Sequence, residues 1–208
     1  MKKTTFAVIL FFGTLLVSCF KDQQCPTIKP YFRIKALVPY NLGFSNNGSN
    51  QWAVINEQDS IAWDAYFVRV GFESEYFAGE VPSSRFTGGQ SLFALDCNVN
   101  GYKGSGVGVK RIDFIAMSDY NTNYAKNDTV NDMVKMNDWT VSVNDLPKYY
   151  SIQDFLTMYN STIYRQNFEF RITEPPSENS KEAQFKIVLE LRNGQKFEGE
   201  TQKIRLLN

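Results

Sequence analysis

The side chains available for chemistry are carboxylates, amides, hydroxyls, lysines and three cysteines, because the 208-residue chain contains no histidine. That absence removes Ser-His-Asp and Cys-His catalysis, histidine general bases and histidine-bearing zinc sites. A Ser-Lys nucleophile would need Ser-x-x-Lys at the start of a helix, and none stands there. Paired carboxylates can hydrolyse glycosides. Glu73 with Glu75 and Glu198 with Glu200 have the spacing of one strand face, which is that of solvated sheet positions. The run holding Gly101, Gly104, Gly106 and Gly108 lacks the Gly-Lys-Ser/Thr ending of a phosphate loop and precedes a strand. It is expected to be a mobile connection that bulges into strand 110–116.

The densest polar cluster lies at 119–138. Asp119, Asn121 and Asn123 alternate as the first oxygen ligands of a calcium loop do, which makes them a weak metal candidate. Tyr124 then stands where the turn glycine belongs, and Val130 where a bidentate Glu should close the site. An Asn/Asp-rich surface loop is the expectation, with no metal and no cofactor. Tyr120, Tyr124 and Trp139 in the same region set aromatic faces beside amides, a combination suited to sugars.

One residue has a specific chemical fate. Lys2 and Lys3 precede twelve apolar or small residues, Phe6 to Val17. A bilayer core needs about 20, so this is the core of a signal peptide. It ends in Leu16-Val17-Ser18-Cys19, which resembles the lipobox of bacterial lipoproteins. The resemblance implies cleavage before Cys19 and a diacylglyceryl group on its sulfur. Residues 1–18 are then the leader, 19–30 a lipidated, proline-marked tether, and 31–208 one domain.

With Cys19 lipidated, Cys25 and Cys97 remain, and a disulfide between them is expected in an oxidising compartment. Closing so long a loop would contribute about 4 kcal/mol if unstrained. The whole chain has 22 basic and 22 acidic residues; the leader holds two lysines and no acid, so the mature chain carries 20 against 22. Without a basic excess, nucleic acid is not an expected partner.

These residues must be positioned by strands. Apolar residues alternate at Phe32, Ile34, Ala36 and Val38, at Tyr66, Val68, Val70 and Phe72, and at Ile112, Phe114 and Ala116. The same period recurs at Trp139, Val141 and Val143, at Phe168, Phe170 and Ile172, and at Phe185, Ile187, Leu189 and Leu191. Shorter strands are expected near 52–55 and 92–97. Asn193-Gly194 predicts a two-residue type I′ hairpin, and Gly199 a bulge that shifts the phase of the last strand. Ser151 and Asp154 open a helix whose apolar face is Ile152, Phe155, Leu156 and Tyr159. The expected fold is all-β: an antiparallel, immunoglobulin-like β-sandwich with one short helix, or alternatively an eight-stranded lipocalin-like barrel.

The lipobox with a cysteine soon after it, Tyr31-Phe32-Arg33-Ile34, Cys97, and Arg111-Ile112-Asp113-Phe114-Ile115-Ala116-Met117-Ser118 resemble the uncharacterised lipoproteins of Bacteroidetes-type bacteria. The resemblance implies an outer-membrane lipid anchor in the cell envelope. It also directs attention to Ser60 in Asp59-Ser60-Ile61 and Thr129 in Asp128-Thr129-Val130, matches to an O-glycosylation pattern of such bacteria. Lys21-Asp22 partly matches their surface-export signal, but Gln23 and Gln24 follow where a further acid is expected. The leading expectation is a non-enzymatic envelope module, held to lipid through Cys19, that binds a glycan or a protein. A fimbrial or adhesin-type subunit is the first alternative, and a carboxylate-dependent hydrolase the second.

Overall fold

The computed structural model describes residues 29–45, 51–57, 59–78, 100–137, 149–158, 162–178 and 180–208. Cys19, Cys25 and Cys97 lie outside them, as do Tyr159 and the strands expected at 92–97 and 139–143. The strands are β1 (Tyr31–Ser45), β2 (Gln51–Val54), β3 (Ser60–Ala62), β4 (Tyr66–Phe77), β5 (Val109–Ala116) and β6 (Val134–Asn137). They continue with β7 (Tyr150–Ser151), β8 (Asn167–Ile172), β9 (Ser180–Ala183), β10 (Phe185–Leu191), β11 (Lys196–Glu200) and β12 (Ile204–Leu207). A single short helix among the described residues, α1, spans Ile152–Thr157.

The strands form a six-stranded sheet, β2-β1-β4-β8-β6-β7, and two three-stranded sheets, β11-β10-β5 and β3-β12-β9. Pairing is antiparallel except between β3 and β12. The sheets are open, so the protein is a β-sandwich and not the closed barrel that alternation alone left as the alternative. Tyr66, Val68 and Val70 of β4, Phe168, Phe170 and Ile172 of β8, Ile112 and Phe114 of β5, and Phe185, Ile187 and Leu189 of β10 fill the space between layers. Aromatic rings dominate this core. Phe114 lies 4.9 Å from Phe185 and 5.3 Å from Phe170, and Phe72 meets Phe168 edge-on at 5.2 Å. Such pairs contribute about 0.5–1.5 kcal/mol each beyond their buried area.

Helix α1 closes one side of that core. The Ser151 hydroxyl accepts from the Asp154 amide at 3.0 Å, capping the helix, and Phe155 packs on Phe168 with ring centroids 5.3 Å apart.

Four local expectations are corrected. In β1 the alternation does not run through from Phe32 to Val38. A register shift between Ile34 and Ala36 leaves Lys35 unpaired, and the faces exchange there: Leu37 is buried while Val38 is 45% exposed. The Asn193-Gly194 turn is not a two-residue type I′ hairpin, because only Gly194 has positive φ (85°). Gly194 N–H donates to Leu191 and Leu191 N–H donates to Gln195, giving a three-residue loop of type I turn plus left-handed glycine. The Asn193 side chain accepts from the Gln195 amide, so it holds the turn without the left-handed backbone.

Gly199 forms no bulge, since β10 and β11 pair without interruption from Lys186–Glu200 to Glu190–Lys196. A Cβ at Gly199 would lie 2.7 Å from the Pro39 ring, so this glycine permits close passage of β11 over β1. The phase shift arises at 201–203, where the hairpin leaves one small sheet and re-pairs as β9–β12 in the other. Thr201 stitches the break, its amide donating to Phe185 O and its hydroxyl accepting from Phe185 N.

The glycine-rich run is pinned, not a free connection. Phe32 N–H donates to Gly104 O, Ser105 N–H to Ile163 O, and Gly101 N–H to Lys29 O. Gly104, at φ 86°, lies so close to the chain that a Cβ would sit 2.4 Å from Ile163 O. The expected bulge into the next strand is present. A register shift opposite Glu190/Leu191 skips Lys110 of β5.

Candidate functional site

The side chains that alternation sends away from the core on β4, β8 and β6 meet on the outer face of the six-stranded sheet. There Arg69 of β4 stands opposite Glu169 of β8, which stands opposite Asn137 of β6. Glu169 is fully buried although it occupies a nominally solvent-facing position. Burying a lone carboxylate is costly, and two partners offset that cost. The Arg69 guanidinium donates to Oε2 at 2.8 Å, and the Tyr149 hydroxyl donates to Oε1. Burial, and then the bond to Glu169, push the Tyr149 hydroxyl well above its ordinary pKa. Partial burial works against the charge on Arg69, but the hydrogen bond and charge of Glu169 outweigh it and hold the guanidinium above its usual value.

Around this network runs a ladder of rings and cations. Trp52 of β2 packs on Phe67 of β4 at 4.7 Å and under the Arg69 guanidinium at 5.8 Å. Phe67 in turn lies 6.1 Å from Tyr149 and 5.9 Å from the Arg171 guanidinium. Trp52 is 36% exposed and Val54 60% exposed, so the β2 end of the ladder faces solvent. At its other end is a cavity of about 280 Å³ lined by Trp63, Lys135, Tyr149, Arg171, Ile172 and Thr173. Phe67 is itself buried, so the ring faces left to solvent are those of Trp52 and, in part, Tyr149, flanked by cations and held in place by the half-buried Arg69–Glu169 pair.

The sequence-predicted residues fall elsewhere. In the 119–132 loop the polar oxygens are occupied by the chain's own turns. Asp119 accepts from Lys126 N at 2.8 Å, Asn121 from Asn123 N at 2.9 Å, and Asp128 from Ala125 N at 2.7 Å. Asn123 is exposed and Tyr120 is buried in the core, so Asp119, Asn121 and Asn123 build a folded surface loop. Ser60 and Thr129 are both exposed, on β3 and opposite Ile115 respectively. Glu73, Glu75, Glu198 and Glu200 are exposed strand positions, with Glu75 paired to Lys35 and Glu198 to Lys186.

Sequence reading missed Glu169, Arg69, Arg171 and Lys135. The only signal was weak: a carboxylate flanked by Phe168 and Phe170 in one strand and an arginine at the polar phase of another. Only the register of β4 against β8 brings them together. Comparison of the chain with protein-family models, with curated proteins and with solved structures finds no match.

Proposed function

We propose that this chain is an exported envelope lipoprotein, anchored through Cys19, whose sandwich binds a glycan by contact and without catalysis. The observation that carries the binding reading is the aromatic–cation ladder on the outer face of the six-stranded sheet, fixed by the Arg69–Glu169–Tyr149 network. A sandwich fills its own interior with side chains, which leaves surfaces as the place for recognition. A surface whose rings and cations are already held in place loses little entropy on binding. The central carboxylate is fully buried and doubly engaged, which suits a scaffold and not a proton-transfer group. The anchor rests on Leu16-Val17-Ser18-Cys19 and the apolar run before it.

Two experiments test this. Screening the purified full chain on a glycan array should give binding to a restricted set of glycans that Trp52→Ala weakens at least tenfold. Silence across the array rejects the glycan form of the reading. Metabolic labelling with a radiolabelled fatty acid should mark the wild-type chain and not Cys19→Ser, and an unlabelled wild type rejects the anchor.

A further inference from the structure

Lys135 of β6 and Arg171 of β8 are direct cross-strand partners on the outer face of the sheet. Like charges placed directly opposite destabilise a sheet, and their side chains are about 5 Å apart at Cβ in such pairs. Among the described residues, neither is in a salt bridge, although seven other ion pairs form. Both are exposed, and both line the 280 Å³ cavity with the rings of Trp63 and Tyr149. The nearby Glu169 leaves them unneutralised, because its single negative charge is already matched by the Arg69 guanidinium at 2.8 Å.

We infer that this cavity is an anion subsite for the carboxylate of an acidic sugar unit, such as a uronic acid within a glycan. A guanidinium binds a carboxylate through two parallel hydrogen bonds, and an ammonium beside it adds a second positive charge. The ring walls favour a sugar over a bare inorganic anion, because a pyranose offers an apolar C–H face to an aromatic ring and phosphate offers none. The cavity is at the small end of ligand sites, which suits one ring of a longer chain. The Thr173 hydroxyl donates to Met133 O at 2.9 Å, leaving its oxygen free to accept from a sugar hydroxyl.

The inference rests on the glycan-binding reading and names the subsite that selects acidic glycans. Calorimetric titration of the purified full chain with tetrasaccharides of galacturonate, glucuronate, mannuronate and guluronate tests it. The neutral galactose tetrasaccharide, sodium phosphate and poly-glutamate are the comparison probes. At least one uronate should bind tenfold or more tighter than the neutral tetrasaccharide and than phosphate. Raising salt from 50 to 500 mM should weaken that binding several-fold. Arg171→Gln should weaken it at least tenfold while the thermal midpoint stays near wild type. Lys135→Glu supplies the missing carboxylate internally, so it should abolish uronate binding and leave the fold as stable or more so. The subsite is overturned if no uronate binds, if neutral and acidic probes bind alike, or if Arg171→Gln binds uronate as wild type does. Neutral-glycan binding that Arg171→Gln leaves intact would overturn the subsite while keeping the glycan-binding reading. Poly-glutamate binding that Arg171→Gln abolishes, without uronate binding, would assign the pair to an acidic protein partner and overturn the sugar.

Discussion

The outer faces of the two sheets that sandwich the aromatic core carry similar residue types arranged to opposite effect. On β5, β10 and β11, opposite charges stand side by side. Arg111 lies across from Glu190, and Glu190 across from Lys196. Lys110 reaches Glu190 at 2.5 Å, Arg111 reaches Asp113 at 2.7 Å, and Lys186 pairs with Glu198. On β8 and β6 the one carboxylate, Glu169, is buried beneath its partners, while Lys135 and Arg171 face each other as like charges. The first face is solvated and internally neutral. The second concentrates positive charge locally at Lys135 and Arg171, and such a local surplus is what an external anion can use.

Glu169→Ala gives the largest expected effect, because it leaves the half-buried Arg69 guanidinium and Tyr149 hydroxyl without their shared acceptor. Urea unfolding should show a loss of about 3–5 kcal/mol. A loss below 1 kcal/mol would mean that water reaches this network. Gly104→Ala comes next, at about 2 kcal/mol, since a Cβ there combines positive φ with a clash against Ile163 O. Lys135→Glu should reverse the usual sign and stabilise by about 0.5 kcal/mol, by turning a repulsive cross-strand pair into an attractive one. Glu198→Ala on the neutral face should change stability by less than about 0.5 kcal/mol, the ordinary worth of an exposed pair. A loss near that of Glu169→Ala would remove the contrast between the faces.

Alkaline pH separates the regions in another way. Burial raises the hydroxyls of Tyr66, Tyr120 and Tyr149 above their ordinary range, with Glu169 adding to the effect on Tyr149. A folded-state pKa raised above the unfolded value contributes stability below the unfolded pKa, about 10, and loses it as pH rises beyond. The thermal midpoint should therefore fall steeply above pH 10. Tyr149→Phe should unfold less steeply with alkali, at the cost of a weaker network at pH 7. In acid the sign is reversed. The bonds to Lys35 and Lys110 hold the exposed carboxylate of Glu75 and the half-buried carboxylate of Glu190 below their usual range. Their small contribution is present above the unfolded pKa and lost as pH falls through the folded one.

Period-two alternation made the core legible wherever a strand ran unbroken. Phe168, Phe170 and Ile172, or Phe185 through Leu191, are buried as their spacing requires. It failed at Lys35, because the residues on both sides of the bulge alternate consistently within themselves and nothing local marks the slip. Asn193-Gly194 named the turn, but its length depended on how β10 and β11 meet. The loop at 119–132 read correctly as surface because its side-chain oxygens serve nearby amides. The outer-face site was not legible, because Glu169, Arg69 and Lys135 are each ordinary polar alternants until a register places them together.

The parallel pairing of β3 with β12 has a consequence for the order in which the chain can fold. Among the described residues, Ser60–Ala62 finds its sheet partner only in Ile204–Leu207, and the C-terminal segment that carries β12 also carries β10, which covers the core. Contacts so distant along the chain make folding slow, and they close the sandwich only after the C-terminal strands have been made. If the chain is exported as proposed, it gains from that delay, because the early strands cannot lock a finished core ahead of its passage through the membrane.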